Sequence, residues 1–272
     1  SYAAIIKLAD GVPIYIQSRI ENDFKPTKEQ LKNAISKKTK AIIFSSPCNP
    51  TGTVFTREEL KSYRDILIDY PEIFVISDEI YEHINFTKEH CSIGSLSGLE
   101  ERTITMNGFS KAFAMTGWRL GYIGAPDSIV KAINKMQGQT TSANCSIAQR
   151  AGLSALIGGN KCAIDMKNAY LKRRDIVYKM LKEINGLKIN LPKGAFYFFP
   201  DISYFIGLKT ETGKKITSAN ELSLYLLEDG KIALVPGEDF GAAKCIRISY
   251  AASEKDLINA VKRLKISLDK LK

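Results

Sequence analysis

The sequence predicts an α/β protein: a largely parallel, mixed sheet flanked by helices, followed by a smaller α+β domain at the C-terminal end. Three observations predict it. Apolar runs at 41–44 (Ala-Ile-Ile-Phe) and 73–77 (Ile-Phe-Val-Ile-Ser) lack polar alternation, as strands buried on both faces do. Helix signals stand beside them: Thr27-Lys-Glu-Gln30 and Thr56-Arg-Glu-Glu59 each pair a capping hydroxyl with a reciprocal side chain three residues on. Residues able to do chemistry follow the runs directly, Asn49 after the first, Asp78 after the second and Lys111 after a β-rich run at 103–106. They would converge on the carboxyl edge of the sheet, where open α/β sheets take ligands.

In order, residues 2–9 have helical periodicity, Asp10-Gly11 ends it, and 12–16 (Val-Pro-Ile-Tyr-Ile) read as a first strand. The Thr27 box opens a short helix to about residue 36, and the Thr56 box one that runs to residue 69. Between them, Asn49-Pro-Thr-Gly52 is turn chemistry, because proline presets φ and glycine tolerates φ > 0. After the apolar run at 120–124, helices are expected over 127–137, 146–156 and, long and amphipathic, 165–184. Strand-like runs at 187–191, 194–199, 232–237 and 245–249 then alternate with helices opened by Ser218 and Ser253. The domain boundary is expected near residue 167, giving domains 1–167 and 168–272. In the last strand Arg247 alternates with Ile246 and Ile248, so it faces away from both. A guanidinium there needs an anion, which either an acid of the chain or a bound carboxylate supplies.

Composition narrows the function classes. The net charge of +10 raises the question of nucleic acid, but the cations are scattered, with no block of five or six like charges. No apolar run approaches the ~20 residues of a membrane helix. The five cysteines are odd in number and widely spaced, without a Cys-x-x-Cys pair, which argues for a reducing, cytoplasmic setting rather than a disulfide framework or zinc site. His83 and His90 lack a second ligand type at metal spacing, so solvated or packing roles are expected and no metal.

The segment 107–122, Asn-Gly-Phe-Ser-Lys-Ala-Phe-Ala-Met-Thr-Gly-Trp-Arg-Leu-Gly-Tyr, holds Lys111 and, eight residues on, Arg119 among small and aromatic neighbours. Burial disfavours a charged amine and suits a lysine that acts as a nucleophile. The arginine offers a planar fork to phosphate or carboxylate. By chemistry alone, a junction with two surface cations fits equally well.

Four motifs in this order resemble the class I aminotransferases, the pyridoxal-phosphate enzymes of fold type I, and among them the bacterial-type aspartate aminotransferases. They are Asn-Pro-Thr-Gly at 49–52, Asp-Glu-x-Tyr at 78–81, the Ser-Lys-Ala-Phe-Ala-Met-Thr-Gly-Trp-Arg-Leu-Gly-Tyr stretch at 110–122 and Arg-Ile-Ser-Tyr-Ala at 247–251. The likeness spans essentially the whole chain. It implies an amino-group transfer between an L-amino acid, aspartate above all, and a 2-oxo acid such as 2-oxoglutarate or oxaloacetate. Another class I transaminase of aromatic or broad specificity, or an aminotransferase-like regulatory module, are the alternatives.

The resemblance implies pyridoxal 5'-phosphate as cofactor, held covalently by Lys111, which also serves as general base. Asp78 would face the ring nitrogen, Asn49 and Tyr81 the phenolic oxygen, and Arg119 the phosphate. Arg247 would grip the substrate's α-carboxylate, Asn49 would also contact the substrate, and the Gly-Ala-Phe-Tyr strand at 194–197 would border the pocket. A homodimer is implied, and neither nucleic acid nor membrane is an expected partner. Two departures stand out: Gly108 occupies a position where many relatives place a phosphate-binding serine, and Ser1 opens the chain in mid-domain texture. The large domain is therefore expected to be incomplete at its N-terminus, lacking the glycine-rich phosphate turn, the ring-stacking aromatic and the reader of the substrate's distal carboxylate. Such a stretch alone is expected to be inactive.

Overall fold

The computed structural model describes residues 2–272, which form two compact units. The first comprises Ser1–Pro47 and Val54–Ile164, the second Cys48–Thr53 and Asp165–Lys272.

The first unit opens with α1 (Tyr2–Leu8) and α2 (Lys28–Ala34). Strand β1 (Ala41–Ser45), helix α3 (Arg57–Leu67), and strands β2 (Phe74–Asp78), β3 (Thr103–Gly108) and β4 (Gly121–Gly124) follow. The strands form one mixed sheet in the order β1-β2-β3-β4. The first three run parallel, with Ser45 beside Asp78 and Asp78 beside Met106, and β4 returns antiparallel on β3. Helices α4 (Asp127–Thr140) and α5 (Ser146–Ile157) complete the unit, and α6 (Lys161–Leu181) starts within it.

Both capping boxes form. Thr27 accepts from Gln30 N and Thr56 from Glu59 N, with the reciprocal side chains in place. Each satisfies amides that the first turn leaves open, a contribution of about 1 kcal/mol per cap. On α3, Leu60, Tyr63 and Leu67 recur on one face and are buried, together with Ile73 and Val75 of the β2 region. Full burial of an aliphatic side chain is worth about 2 kcal/mol.

Two expectations need correction. Residues 12–16 form no strand, and Val12, Ile14 and Tyr15 are exposed. Pro13 has no amide to donate, and no strand among the described residues pairs with this stretch. Strand β1 is half-buried rather than buried on both faces, since it stands at the end of the strand order. Among the described residues no helix is long and apolar enough to cross a membrane.

The second unit holds the rest of α6, then β5 (Tyr197–Phe198), α7 (Ala219–Glu228), β6 (Val235–Pro236), β7 (Ile246–Ser249) and α8 (Glu254–Asp269). Its sheet has the order β5-β7-β6 and is antiparallel throughout. The runs expected at 187–191, 194–199 and 232–237 shrink to a bridge at Lys188 and two two-residue strands, because the other backbone bonds of these runs, such as Gly194 N on Gly52 O and Gly237 N on Cys245 O, do not continue a ladder. The core gathers Val177, Leu181, Phe198, Leu222, Leu226 and Tyr250. Tyr250 is wholly buried and donates its hydroxyl to Ala195 O at 3.1 Å, and burial pushes its phenol well above the usual range.

Candidate active site

In the first unit, β2 ends at Asp78 and β3 ends three residues before Lys111, so both lie at the carboxyl edge of neighbouring parallel strands. Asp78 is half-buried. Its Oδ1 accepts from Ile80 N at 3.1 Å and its Oδ2 from the Tyr2 hydroxyl at 2.5 Å. Tyr81, one turn beyond, is buried. The Lys111 ammonium lies 5.8 Å from the centroid of the Tyr81 ring, within reach of its electron-rich face. The structure thus brings Asp78, Tyr81 and Lys111 to one edge of this unit's sheet.

The loop that carries Lys111 is folded on itself. Phe109 O receives Phe113 N and Met115 N, Ala114 N reaches Lys111 O, and the Thr116 hydroxyl bonds Ser110 O at 2.9 Å. Ala114 and Arg119 adopt left-handed backbone, which costs a non-glycine residue energy and is retained where surrounding contacts over-determine it. Phe109 packs on Phe113 and Tyr122 at ring separations of 5.7 and 5.6 Å. Arg119 is exposed, with Nη1 bonded to its own loop at Thr116 O. Gly108 is a packing requirement: a Cβ there would come within 2.9 Å of Gly121 Cα and 3.0 Å of Leu120 O. A serine at this position cannot be accommodated without moving β4.

In the second unit, the turn 48–53 is closed by Cys48 N on Thr53 O and Gly52 N on Cys48 O, both 2.9 Å. Gly52 has φ +67°, and a Cβ on it would meet Pro192 Cβ at 2.5 Å. This tight turn presents Asn49 to Arg247, whose Nη1 donates to Asn49 Oδ1 at 2.8 Å. Ile246 and Ile248 are buried on the opposite face of β7, as the alternation predicts. No acid among the described residues pairs with Arg247. Its Nε is buried and lacks an acceptor. Two aromatic rings lie against the guanidinium, Tyr197 at 4.6 Å and Phe240 at 5.0 Å from Cζ to centroid.

Sequence reasoning missed three features. Tyr2 reaches Asp78 across 76 residues of chain, and no local pattern announces that. Phe240 sits on a 3-10 turn, Gly237–Phe240, without strand or helix periodicity. Glu79, buried beside Asp78, accepts from Ser77 at 2.8 Å, Ser92 at 2.7 Å and His90 Nε2 at 2.7 Å. His90 is therefore partnered by a buried carboxylate rather than solvated, and with Glu79 and Glu82 it forms a group whose ligand atoms lie within 4.8 Å of one another.

In donor chemistry, the first unit supplies a carboxylate, a phenol, an amine and a guanidinium. These suit a ring nitrogen, a phenolic oxygen, an aldehyde carbon and a phosphate, so the residues present fit pyridoxal phosphate. The second unit supplies a cation with a buried, unused donor, which suits a carboxylate.

Comparison with known proteins identifies the family. Residues 1–264 match the aminotransferase class I and II family. A Petunia hybrida protein named as a bifunctional aspartate aminotransferase and glutamate/aspartate-prephenate aminotransferase is 44% identical over 276 residues, covering 100% of this chain and 58% of its own length. An aspartate aminotransferase of Pinus pinaster is 43% identical, over 98% of this chain and 55% of its own. The crystal structure of the aspartate aminotransferase from Rhizobium meliloti superposes with a TM-score of 0.95 at 36% identity, over 100% of this chain and 68% of that one. The chain thus spans a little over half the length of the two curated relatives. On motif, fold and family match together, it belongs to the class I and II aminotransferases.

Proposed function

We propose that this chain carries the chemistry of an aspartate aminotransferase, moving an amino group between L-aspartate and a 2-oxo acid such as 2-oxoglutarate with pyridoxal 5'-phosphate as cofactor. The observation that carries the reading is Arg247: a half-buried guanidinium with no acid partner among the described residues, one bond to a neutral amide, and a buried Nε without an acceptor. A buried donor left unmade costs about 1–3 kcal/mol. A ligand carboxylate is the group that recovers it, by a charge-assisted, two-pronged contact.

Bound pyridoxal phosphate supplies an electron sink for the pair released when the substrate's Cα–H bond breaks. Lys111 would hold the cofactor and, once its amine is free, take the Cα proton at Nζ and deliver it to the cofactor's C4′ carbon. Asp78 would accept a hydrogen bond from the ring nitrogen and keep that nitrogen protonated. Tyr81 and Asn49 would donate to the phenolic oxygen, and Arg119 would bind the phosphate. Arg247 would orient the α-carboxylate, so that the Cα–H bond is presented in one direction. A homodimer in the cytoplasm is part of the same proposal, as are domains at 1–167 and 168–272. The name of the Petunia relative supports a second reading, in which prephenate is an acceptor as well.

The test is residue-specific labelling. After loading the full-length protein with pyridoxal phosphate and reducing it with borohydride, a pyridoxyl group is expected on the peptide containing Lys111. Label on another lysine, or none, would overturn the assignment. Assays with aspartate and prephenate as partners separate the two readings.

A further inference from the structure

We propose that Phe240, with Tyr197, is a positioning residue for Arg247: an aromatic mount that holds the guanidinium in place without neutralising it. This rests on the reading of Arg247 as the carboxylate binder. An arginine side chain has many rotamers, and fixing it costs up to about 2 kcal/mol. Proteins commonly fix one with an aspartate or glutamate, but that solution occupies the fork and cancels the charge that an incoming carboxylate needs. No such acid serves Arg247 among the described residues. What holds it is one hydrogen bond from Nη1 to Asn49 and two rings whose centroids lie 4.6 and 5.0 Å from Cζ. Both are inside the ~6 Å range over which a ring quadrupole attracts a cation. A ring face offers no lone pair in the guanidinium plane, so it steadies the cation while leaving edge donors to the ligand.

The fold delivers each ring differently. Tyr197 lies on β5 opposite Ser249 of β7, which puts it diagonal to Arg247 and within reach of an aromatic side chain. Phe240 closes the Gly237–Phe240 turn after β6. That turn is pressed against the following chain, with Gly237 N on Cys245 O at 2.8 Å and Ala242 N on Gly237 O at 2.9 Å. A Cβ on Gly237 would stand 2.1 Å from Ala242 O, so only glycine permits the turn. Gly241, at φ +76°, reverses the chain just past Phe240. Phe199 braces the Phe240 ring edge-on at 5.8 Å and 84°.

The experiment uses the full-length protein with pyridoxal phosphate added, and maleate as a non-reacting dicarboxylate probe followed by calorimetry. Phe240→Leu keeps apolar bulk and removes the ring, while Phe240→Tyr keeps a ring. The leucine variant is expected to weaken maleate about three- to tenfold and the tyrosine variant to restore it. The same factor should appear in KM for both the amino acid and the 2-oxo acid, with kcat and pyridoxal phosphate affinity close to those of the parent. Phe240→Met takes the place of the leucine variant if that one does not fold. A leucine or methionine variant that binds maleate like the parent would overturn the proposal, as would equal loss in the leucine and tyrosine variants. Arg247→Ala makes the two readings separable. If the parent does not bind maleate, or binds it no better than Arg247→Ala, the carboxylate role of Arg247 itself falls. If Arg247 matters and the ring does not, only the present inference falls.

Discussion

A charged side chain in this protein takes its meaning from what stands next to it. Arg247 and Arg102 are both guanidiniums in partly or fully buried places. Arg102 spends its donors on the carbonyls of Leu67, Tyr70 and Ile73, whereas Arg247 spends one on an amide and keeps a buried Nε unused. The first reads as structural and the second as a binder. Glu82 provides a titration test at the same scale. Its hydrogen bond with His83, at 3.1 Å, holds its carboxyl below the ordinary 4.5, against the opposing effect of burial. A depressed folded value means that the stabilisation is present above the unfolded value and is lost as pH falls through the folded one. The window therefore lies below pH 4.5. Carboxyl NMR titration is expected to show the Glu82 midpoint rising toward 4.5 in His83→Ala. An unmoved midpoint would assign the shift elsewhere.

At the level of elements, local signals that satisfy the backbone within a few residues were legible. The Thr27 and Thr56 boxes, the Ser218 and Ser253 caps and the helices they open all form, because a cap needs only its own first turn. Strands need a partner. The run at 12–16 has β-like residues and no partner, and it remains irregular. The end of α3 shows a long-range solution to a local problem: the carbonyl of its last residue, Leu67, and those of Tyr70 and Ile73 just beyond it are met by Arg102, which lies 35 residues beyond Leu67. Arg102→Met keeps apolar bulk and strands those carbonyls, and it is expected to cost about 2–4 kcal/mol. Urea denaturation measures it, and a loss below about 0.5 kcal/mol, the scale of an ordinary surface change, would show that the carbonyls find other donors.

For the molecule as a whole, the first unit carries a burden of exposed apolar side chains. Ile5, Leu8, Val12 and Ile14 near the start, and Met136, Ile147 and Ile157 on α4 and α5, are each more than half exposed. Monomeric proteins seldom leave large contiguous apolar patches in water. The chain is therefore expected to self-associate with rising concentration in sedimentation velocity, and Ile147→Lys with Ile157→Lys to reduce it. A single species of 30.2 kDa at every concentration would contradict this.

The sequence by itself determined the α/β class, the caps, and the order of motifs that marks the family, since each depends on residues close together in the chain or on spacing. It also put Asp78 and Lys111 at strand ends, because a parallel sheet aligns the carboxyl ends of its strands. Only the tertiary structure decided what meets those residues. Tyr2 on Asp78, Asn49 and Phe240 on Arg247, and His90 on Glu79 are contacts between stretches that share no periodicity. Their cause is closure of the fold, which pairs side chains by position in space and leaves no trace in local composition. Gly108 shows the two together: the sequence revealed the departure from serine, and the closeness of β4, where an added Cβ would meet Gly121 Cα at 2.9 Å, supplied its reason.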